Sequence, residues 1–281
     1  MTFKRRTILA GLVAAPVVTP WAARAGTLED VKKRGTFRVG VTQAPPWFSK
    51  NPTTGEWSSG LGISMGKAMA DKLGVKMETV EVSWGNSIAA LQSDKIDIMF
   101  TIDATPERKQ AVDFPESPLL YYSLAVLAKD DLAVKAWADL NKPTVKIAVP
   151  QASSMDRFVS EHCKDADIQR FPDNAAAIAA FQSGRVDAVC LFHPPLLAAR
   201  QRLGKGKIVV PTPAQSQASS TALRKSDPEF VAWVDKFLAE SYKSGQTQKW
   251  YEAALKDRSE EPRLNSSHLG ISYAVFCLKK K

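Results

Sequence analysis

The decapeptide Ile88-Ala-Ala-Leu-Gln-Ser-Asp-Lys-Ile-Asp97 returns nearly unchanged as Ile178-Ala-Ala-Phe-Gln-Ser-Gly-Arg-Val-Asp187, and an apolar run follows each copy. Each copy reads as the end of an amphipathic helix, a tight polar turn at Ser93-Asp94 or Ser183-Gly184, and a strand over 96–100 or 186–191 that is apolar on both faces. Helix, turn and doubly buried strand in that order belong to a parallel α/β sheet. Two copies imply one building block used in two lobes. Ligands in open α/β sheets sit beyond the carboxyl ends of the strands. The tips at 101–103 and 191–193 are therefore the first functional surface to consider, with Asp103 and His193 in matching positions.

Both ends of the 281-residue chain fall outside that pattern. Lys4-Arg5-Arg6, an apolar stretch over 8–18 and the small-x-small run Ala23-Arg24-Ala25 have the form of an export signal, so residues 1–25 read as a signal peptide. The paired arginines resemble a twin-arginine leader, and either that route or the general one delivers the chain to the periplasm. No Cys follows the small-x-small run to carry a lipid, and no later apolar run is long enough for a membrane span. Residues 258–281 resemble the translation of a sequencing adapter running into poly-A, and read as a non-native tail.

Setting these ends aside changes the charge. Of 38 Lys and Arg, four precede Gly26 and five follow Asp257; of 29 Asp and Glu, two follow Asp257. The remainder is near +2, so no nucleic-acid partner is implied. Cys163 and Cys190 are too few for a disulfide framework, and Cys190 reads as a small core residue inside its strand. No His/Glu pair has zinc-binding spacing, and neither a nucleophile elbow nor a phosphate loop is present. No cofactor is expected.

Along the remaining chain the pattern gives a helix over 27–34 stopped by Gly35, a strand over 36–41, a turn segment over 43–48 and a hairpin-like loop over 51–60. A helix from Ile63 to Gly74, a strand over 75–82 and a helix capped by Ser87 follow. Thr105-Pro106-Glu107 opens another helix as N-cap, first-position proline and acid at the positive end of the dipole. A long strand over 121–128 leaves this neighbourhood. The second lobe adds a strand over 145–149, a helix start at Ser153-Ser154, a helix capped by Asn174 and a strand over 208–210. An irregular stretch over 211–220 returns to a strand over 222–224 and an amphipathic helix over 228–242. The domain reading is lobe 1 at 26–122 plus 220–257, lobe 2 at 128–213, and hinge segments at 123–127 and 214–219. Two crossings between two lobes suit closure on a ligand.

Gly60-Leu61-Gly62-Ile63, Leu73-Gly74-Val75, Thr105-Pro106-Glu107-Arg108-Lys109, Val112-Asp113-Phe114, Gly184-Arg185-Val186-Asp187-Ala188 and Leu223-Arg224-Lys225-Ser226-Asp227-Pro228 come in the order and spacing of the family 3 extracellular solute-binding proteins. The chain resembles that family from Gly35 to about Trp250. The resemblance implies an α/β, two-lobed periplasmic-binding-protein clamshell of type II, each lobe a sheet flanked by helices. It implies a monomeric receptor that captures a small polar solute, an amino acid or an amino-acid-like cationic compound, and presents it to an ABC permease in the inner membrane.

Carried over by position, Arg108 matches the arginine that pairs with a ligand carboxylate, a role its two-pronged guanidinium suits. Ser153 and Ser154 match the helix start that completes an anion site, although Ser153 with Asp156 also has the form of a capping box. The chain departs from the family at Asp103, where a hydroxyl residue is usual, at Phe192, where an acid usually holds the ligand ammonium, and at Ala44, where an aromatic is frequent. Trp47 and Trp84 are the alternative stacking faces, or core residues. A decarboxylated or guanidino-type ligand suits Asp103 with two tryptophans. The alternative is an enzyme on the same fold, a periplasmic cyclohexadienyl (prephenate or arogenate) dehydratase, with Asp103 and His193 as base and acid; His193 otherwise caps a strand end.

Overall fold

The computed structural model describes residues 26–256, so the expected leader and tail lie outside the described residues. Helix α1 (Thr27–Arg34) ends at Gly35, whose φ of 73° suits a residue without a side chain. Strand β1 (Thr36–Val41), the small hairpin β2 (Ser49–Lys50) and β3 (Trp57–Ser59), helix α2 (Leu61–Leu73) and strand β4 (Lys76–Glu81) follow. Next come α3 (Ser87–Gln92), β5 (Ile98–Ile102), α4 (Pro106–Ala111), β6 (Val112–Asp113) and the long β7 (Leu120–Ala128). The second half holds β8 (Lys146–Pro150), α5 (Ser154–His162), β9 (Asp167–Phe171), α6 (Asn174–Gln182), β10 (Ala188–Phe192), α7 (His193–Leu203) and β11 (Lys207–Val209). The chain returns through β12 (Ser216–Arg224) and finishes with α8 (Pro228–Lys243) and α9 (Gln246–Lys256).

The strands are hydrogen-bonded in the order β4-β1-β5-β12-β7-β10-β8-β9. In one half β1 is parallel to β4 and β5; in the other β8 is parallel to β9 and β10. The antiparallel members β12 and β7 join the halves, residues 216–219 pairing with 120–123. Leu124 to Ala128 pair with β10 instead, so the segment expected as the first crossing lies mainly in the second half's sheet. Of the return path over 211–220, expected to be irregular, residues 216–220 are strand, because pairing with β7 and then with β5, whose register shifts after Ser220, satisfies their backbone.

The repeat is explained by its last residue. Asp97 accepts the backbone N–H of Arg38 at 2.8 Å and gives its own N–H to the Arg38 carbonyl at 2.9 Å. Asp187 does the same with Lys146, at 2.9 Å in both directions. Each aspartate thus clips its incoming strand to the start of the parallel neighbour, with side-chain charges from Arg34 and Arg38 on Asp97 and Lys129 on Asp187. Pairing proper begins just beyond, which is why β5 and β10 start later than the apolar pattern indicates.

Two capping expectations are corrected. Asn86, not Ser87, precedes α3, and the Ser87 hydroxyl donates to the Trp84 carbonyl at 3.0 Å. Asp173, not Asn174, caps α6 by accepting the Ala176 N–H at 2.8 Å. Strand β9 and helices α7 and α9 were not foreseen, since β9 is half-exposed with mixed residues and α7 opens on two prolines that read as a break. Cys163 and Cys190 are both buried free thiols. No helix among the described residues is long and apolar enough to cross a membrane.

Candidate functional site

One narrow cleft opens at the carboxyl ends of the parallel strands, with a cavity volume of about 20 Å³. Thr101 and Ile102 end β5, and Asp103 stands just beyond it. Thr101 has φ of 56°, a conformation that a β-branched residue adopts only under constraint. Thr101 is the extra residue where the pairing of β5 with β12 steps from Phe100 to Ile102, just before Asp103. Thr105 caps α4 and Pro106 starts it, which fixes Arg108 one turn in, 9 % exposed. From the second half come Ser153, Ser154 and Met155 at the head of α5, Asn174 at the head of α6, and Phe192 with Pro195 where β10 meets α7.

Asp103 is the centre of the polar contacts. Its carboxylate accepts the Tyr122 hydroxyl at 2.5 Å and, from the opposite half, the Ser154 hydroxyl. Arg108 donates to the Asp103 carbonyl at 3.2 Å. Burial raises the Asp103 pKa, opposed by hydrogen bonds from Ser154 and Tyr122, by the Arg108 charge and by Gln217. Burial likewise lowers that of Arg108, against the pull of Asp103. Each group is held away from its comfortable charged state unless the other, or a bound counter-charge, compensates.

Several contacts join the halves around this cleft. The Trp84 indole donates to Asn174 at 2.9 Å, and the Ala175 N–H reaches the Gln43 carbonyl at 3.3 Å. At the mouth Arg157 meets Glu107 at 2.5 Å. The Glu107 backbone N–H at the start of α4, and then Arg157, hold that carboxyl down to about 2. Gly85 sits so close to the second half that a β-carbon there would lie 2.9 Å from that of Ala152. This is a closed arrangement of the two halves.

Trp47, Trp84, Asp103, Arg108, Ser153, Ser154 and Phe192 therefore line one cleft, as the tips of the repeated strands indicated. His193 is not among the lining residues; it begins α7, buried, with its pKa lowered by that burial. Ser153 spends its side chain on capping α5 and on the Pro150 carbonyl. Thr101 and Ile102 belong to the strand tip already singled out, whereas sequence reasoning missed Tyr122, Met155, Asn174 and Pro195 as lining residues. Tyr122 carried no signal beyond its place in an apolar strand, and Asn174 was read as a cap.

A family model for bacterial extracellular solute-binding proteins, family 3, matches residues 37–257. The chain belongs to this family. The L-cystine-binding protein TcyJ of Escherichia coli is 25 % identical over 259 residues, covering 88 % of this chain and 96 % of that one. The cyclohexadienyl dehydratase of Pseudomonas aeruginosa is 24 % identical over 248 residues, 84 % of this chain and 88 % of that one. Among solved structures, the ancestral amino acid-binding protein AncCDT-1, described as a precursor of cyclohexadienyl dehydratase and as a cationic amino acid solute-binding protein, is 37 % identical. It covers 82 % of this chain and 100 % of its own, with a TM-score of 0.74. The fold is the type II clamshell of the solute-binding proteins, and the role of this family 3 member is solute binding.

Proposed function

We propose that this chain is a periplasmic, monomeric receptor that closes over a small zwitterionic solute with a cationic side chain and delivers it to an ABC permease. The observation that carries the reading is the adjacency of Asp103 and Arg108. Among the described residues they are the only charged side chains lining the cleft. Arg108 offers paired donors to a carboxylate, and Asp103 accepts an ammonium, so both ends of an amino-acid head group are held from the first half. The zwitterionic head group keeps Asp103 and Arg108 balanced, whereas a lone anion or cation in its place leaves one of them uncompensated. The indoles of Trp47 and Trp84 give flat faces to the remainder of the solute, a guanidinium or amine included. The description of AncCDT-1 as binding cationic amino acids supports this class.

Closure follows from the two joining strands. A ligand bound better by the closed form shifts the equilibrium toward it, and the closed outline is what a permease reads. Micromolar capture requires only about 8 kcal/mol, within reach of two charge-assisted anchors and an aromatic stack. The dehydratase reading has less support, because its expected acid, His193, stands outside the cleft lining.

Calorimetry of the exported protein against arginine, lysine, cystine, agmatine, putrescine and prephenate tests the reading. One unconsumed ligand bound in a one-to-one ratio, with compaction in small-angle scattering, is the expected result. Turnover of prephenate, or no compaction with any compound, overturns it.

A further inference from the structure

Another buried carboxylate lies far along the chain from this cleft. Asp227, 7 % exposed, stands at the head of α8 and accepts the Phe230 N–H at 3.1 Å. Its other oxygen accepts the Thr27 N–H at 2.6 Å, across 200 residues of sequence. One side chain thus caps both α8 and α1. A carboxylate offers about four lone-pair directions, so it has capacity for a further donor. Gly26 faces it: a β-carbon on Gly26 would lie 3.7 and 3.9 Å from the two oxygens. In the sequence, Gly26 directly follows the small-x-small run Ala23-Arg24-Ala25.

We propose that the mature chain starts at Gly26 and that its freed α-ammonium is held by Asp227, so that removal of the leader completes this joint. The inference rests on the export reading above. Before cleavage the Gly26 nitrogen is a neutral amide with one N–H. Hydrolysis of the Ala25–Gly26 bond by an export-route peptidase puts the water oxygen on the Ala25 carbonyl carbon, which leaves as a carboxylate. The Gly26 nitrogen takes the water protons and becomes an ammonium.

The surroundings favour that charge. An ammonium opposes the dipole at a helix N-terminus, but Asp227, with Glu29 and Asp30 in the first turn of α1, supplies three acids. The cation facing them is Arg224 of β12, whose guanidinium is engaged by Asp94, by the Thr27 hydroxyl at 2.8 Å and by Asp30 at 3.8 Å. Glu229 extends the acidic side from the first turn of α8. A terminal amine titrates near pH 8 in an unfolded chain. Pairing with Asp227 raises that pKa in the folded chain. The stabilisation is therefore complete below about pH 8 and is lost as pH rises through the higher folded value.

The test uses the full chain exported from a Gram-negative host. Intact mass and N-terminal sequencing are expected to give Gly26 as the first residue. A second full chain with Gly-Ser inserted after Ala25 moves the ammonium two residues outward. Its melting midpoint is expected to fall by roughly 2–4 °C at about pH 6 relative to the parent, and to match the parent well above the amine's pKa. In Asp227→Asn, which retains a good N-cap, the insertion is expected to have no pH-dependent effect. Cleavage at another bond overturns the inference and leaves the receptor reading standing, as does a parent and insertion pair with identical pH profiles. Failure of export overturns both.

Discussion

The Tyr122 hydroxyl donates a 2.5 Å hydrogen bond to the Asp103 carboxylate, which ties the acid of the cleft to one of the two strands joining the halves. Tyr122 pairs with Gln217 on the other joining strand. Burial first, and then the Asp103 charge, push the Tyr122 hydroxyl well above its ordinary pKa, so it remains a donor. Its ring stacks on Phe192 at 3.7 Å, in the second half.

Replacing Tyr122 with Phe keeps that stack and removes only the donor. A hydrogen bond to a buried charge is worth about 1.5–3 kcal/mol, so ligand affinity is expected to fall about tenfold or more while urea unfolding still shows one cooperative step. Calorimetry alongside the urea curve checks both. Unchanged affinity would show that Asp103 does not need this donor.

Asp103 gives a pH signature. Its folded pKa is raised above 3.8, so over the window from 3.8 up to that value the folded chain holds a proton that the unfolded chain has lost. Stability is expected to fall as pH rises through this window and then level off. A solute ammonium needs the ionised form, so binding releases a proton there. Calorimetry in buffers of different ionisation enthalpy measures the release, and Asp103→Asn is expected to abolish it and to flatten the stability profile.

Gly85 tests closure. An alanine at this position places a β-carbon 2.9 Å from that of Ala152 only while the halves are together, and neither carbon can rotate away. Gly85→Ala is therefore expected to lower affinity several-fold, chiefly through faster dissociation, with the melting temperature of the ligand-free protein nearly unchanged. Stopped-flow release of the best ligand separates the two rates. A variant that binds as tightly as the parent sinks the close-approach argument.

Cys163 and Cys190 are fully buried, and burial raises both thiol pKa values. Neither is expected to react with a thiol-specific reagent until the chain unfolds, when both react together. Rapid labelling of one in the native protein would point to local opening of the second half's sheet.

Periodicity and turn chemistry sufficed for the α/β class, the paired lobes and most helices, because those depend on residues near one another in the chain. The strand tips pointed to Asp103 and Phe192, and the family resemblance supplied Arg108, Ser153, Ser154, Trp47 and Trp84; these seven share a cleft. The misreadings have one character. Asn174 looks like a cap, yet its amide serves Trp84 from the other half. The 216–219 segment looks irregular, yet it is strand because 120–123 lies beside it. The repeated aspartates fall inside the expected strands, and nothing local signals their bonds to Arg38 and Lys146.

The sequence alone therefore determined the building block, its duplication and the strand ends where the cleft opens, since each is encoded in short-range spacing of apolar and turn residues. The tertiary structure alone decided that Asp103 is gripped by Tyr122 and Ser154 and that His193 stands aside. Those outcomes depend on which distant backbone segments satisfy one another's hydrogen bonds and on how closely two halves approach, and no local pattern carries that information.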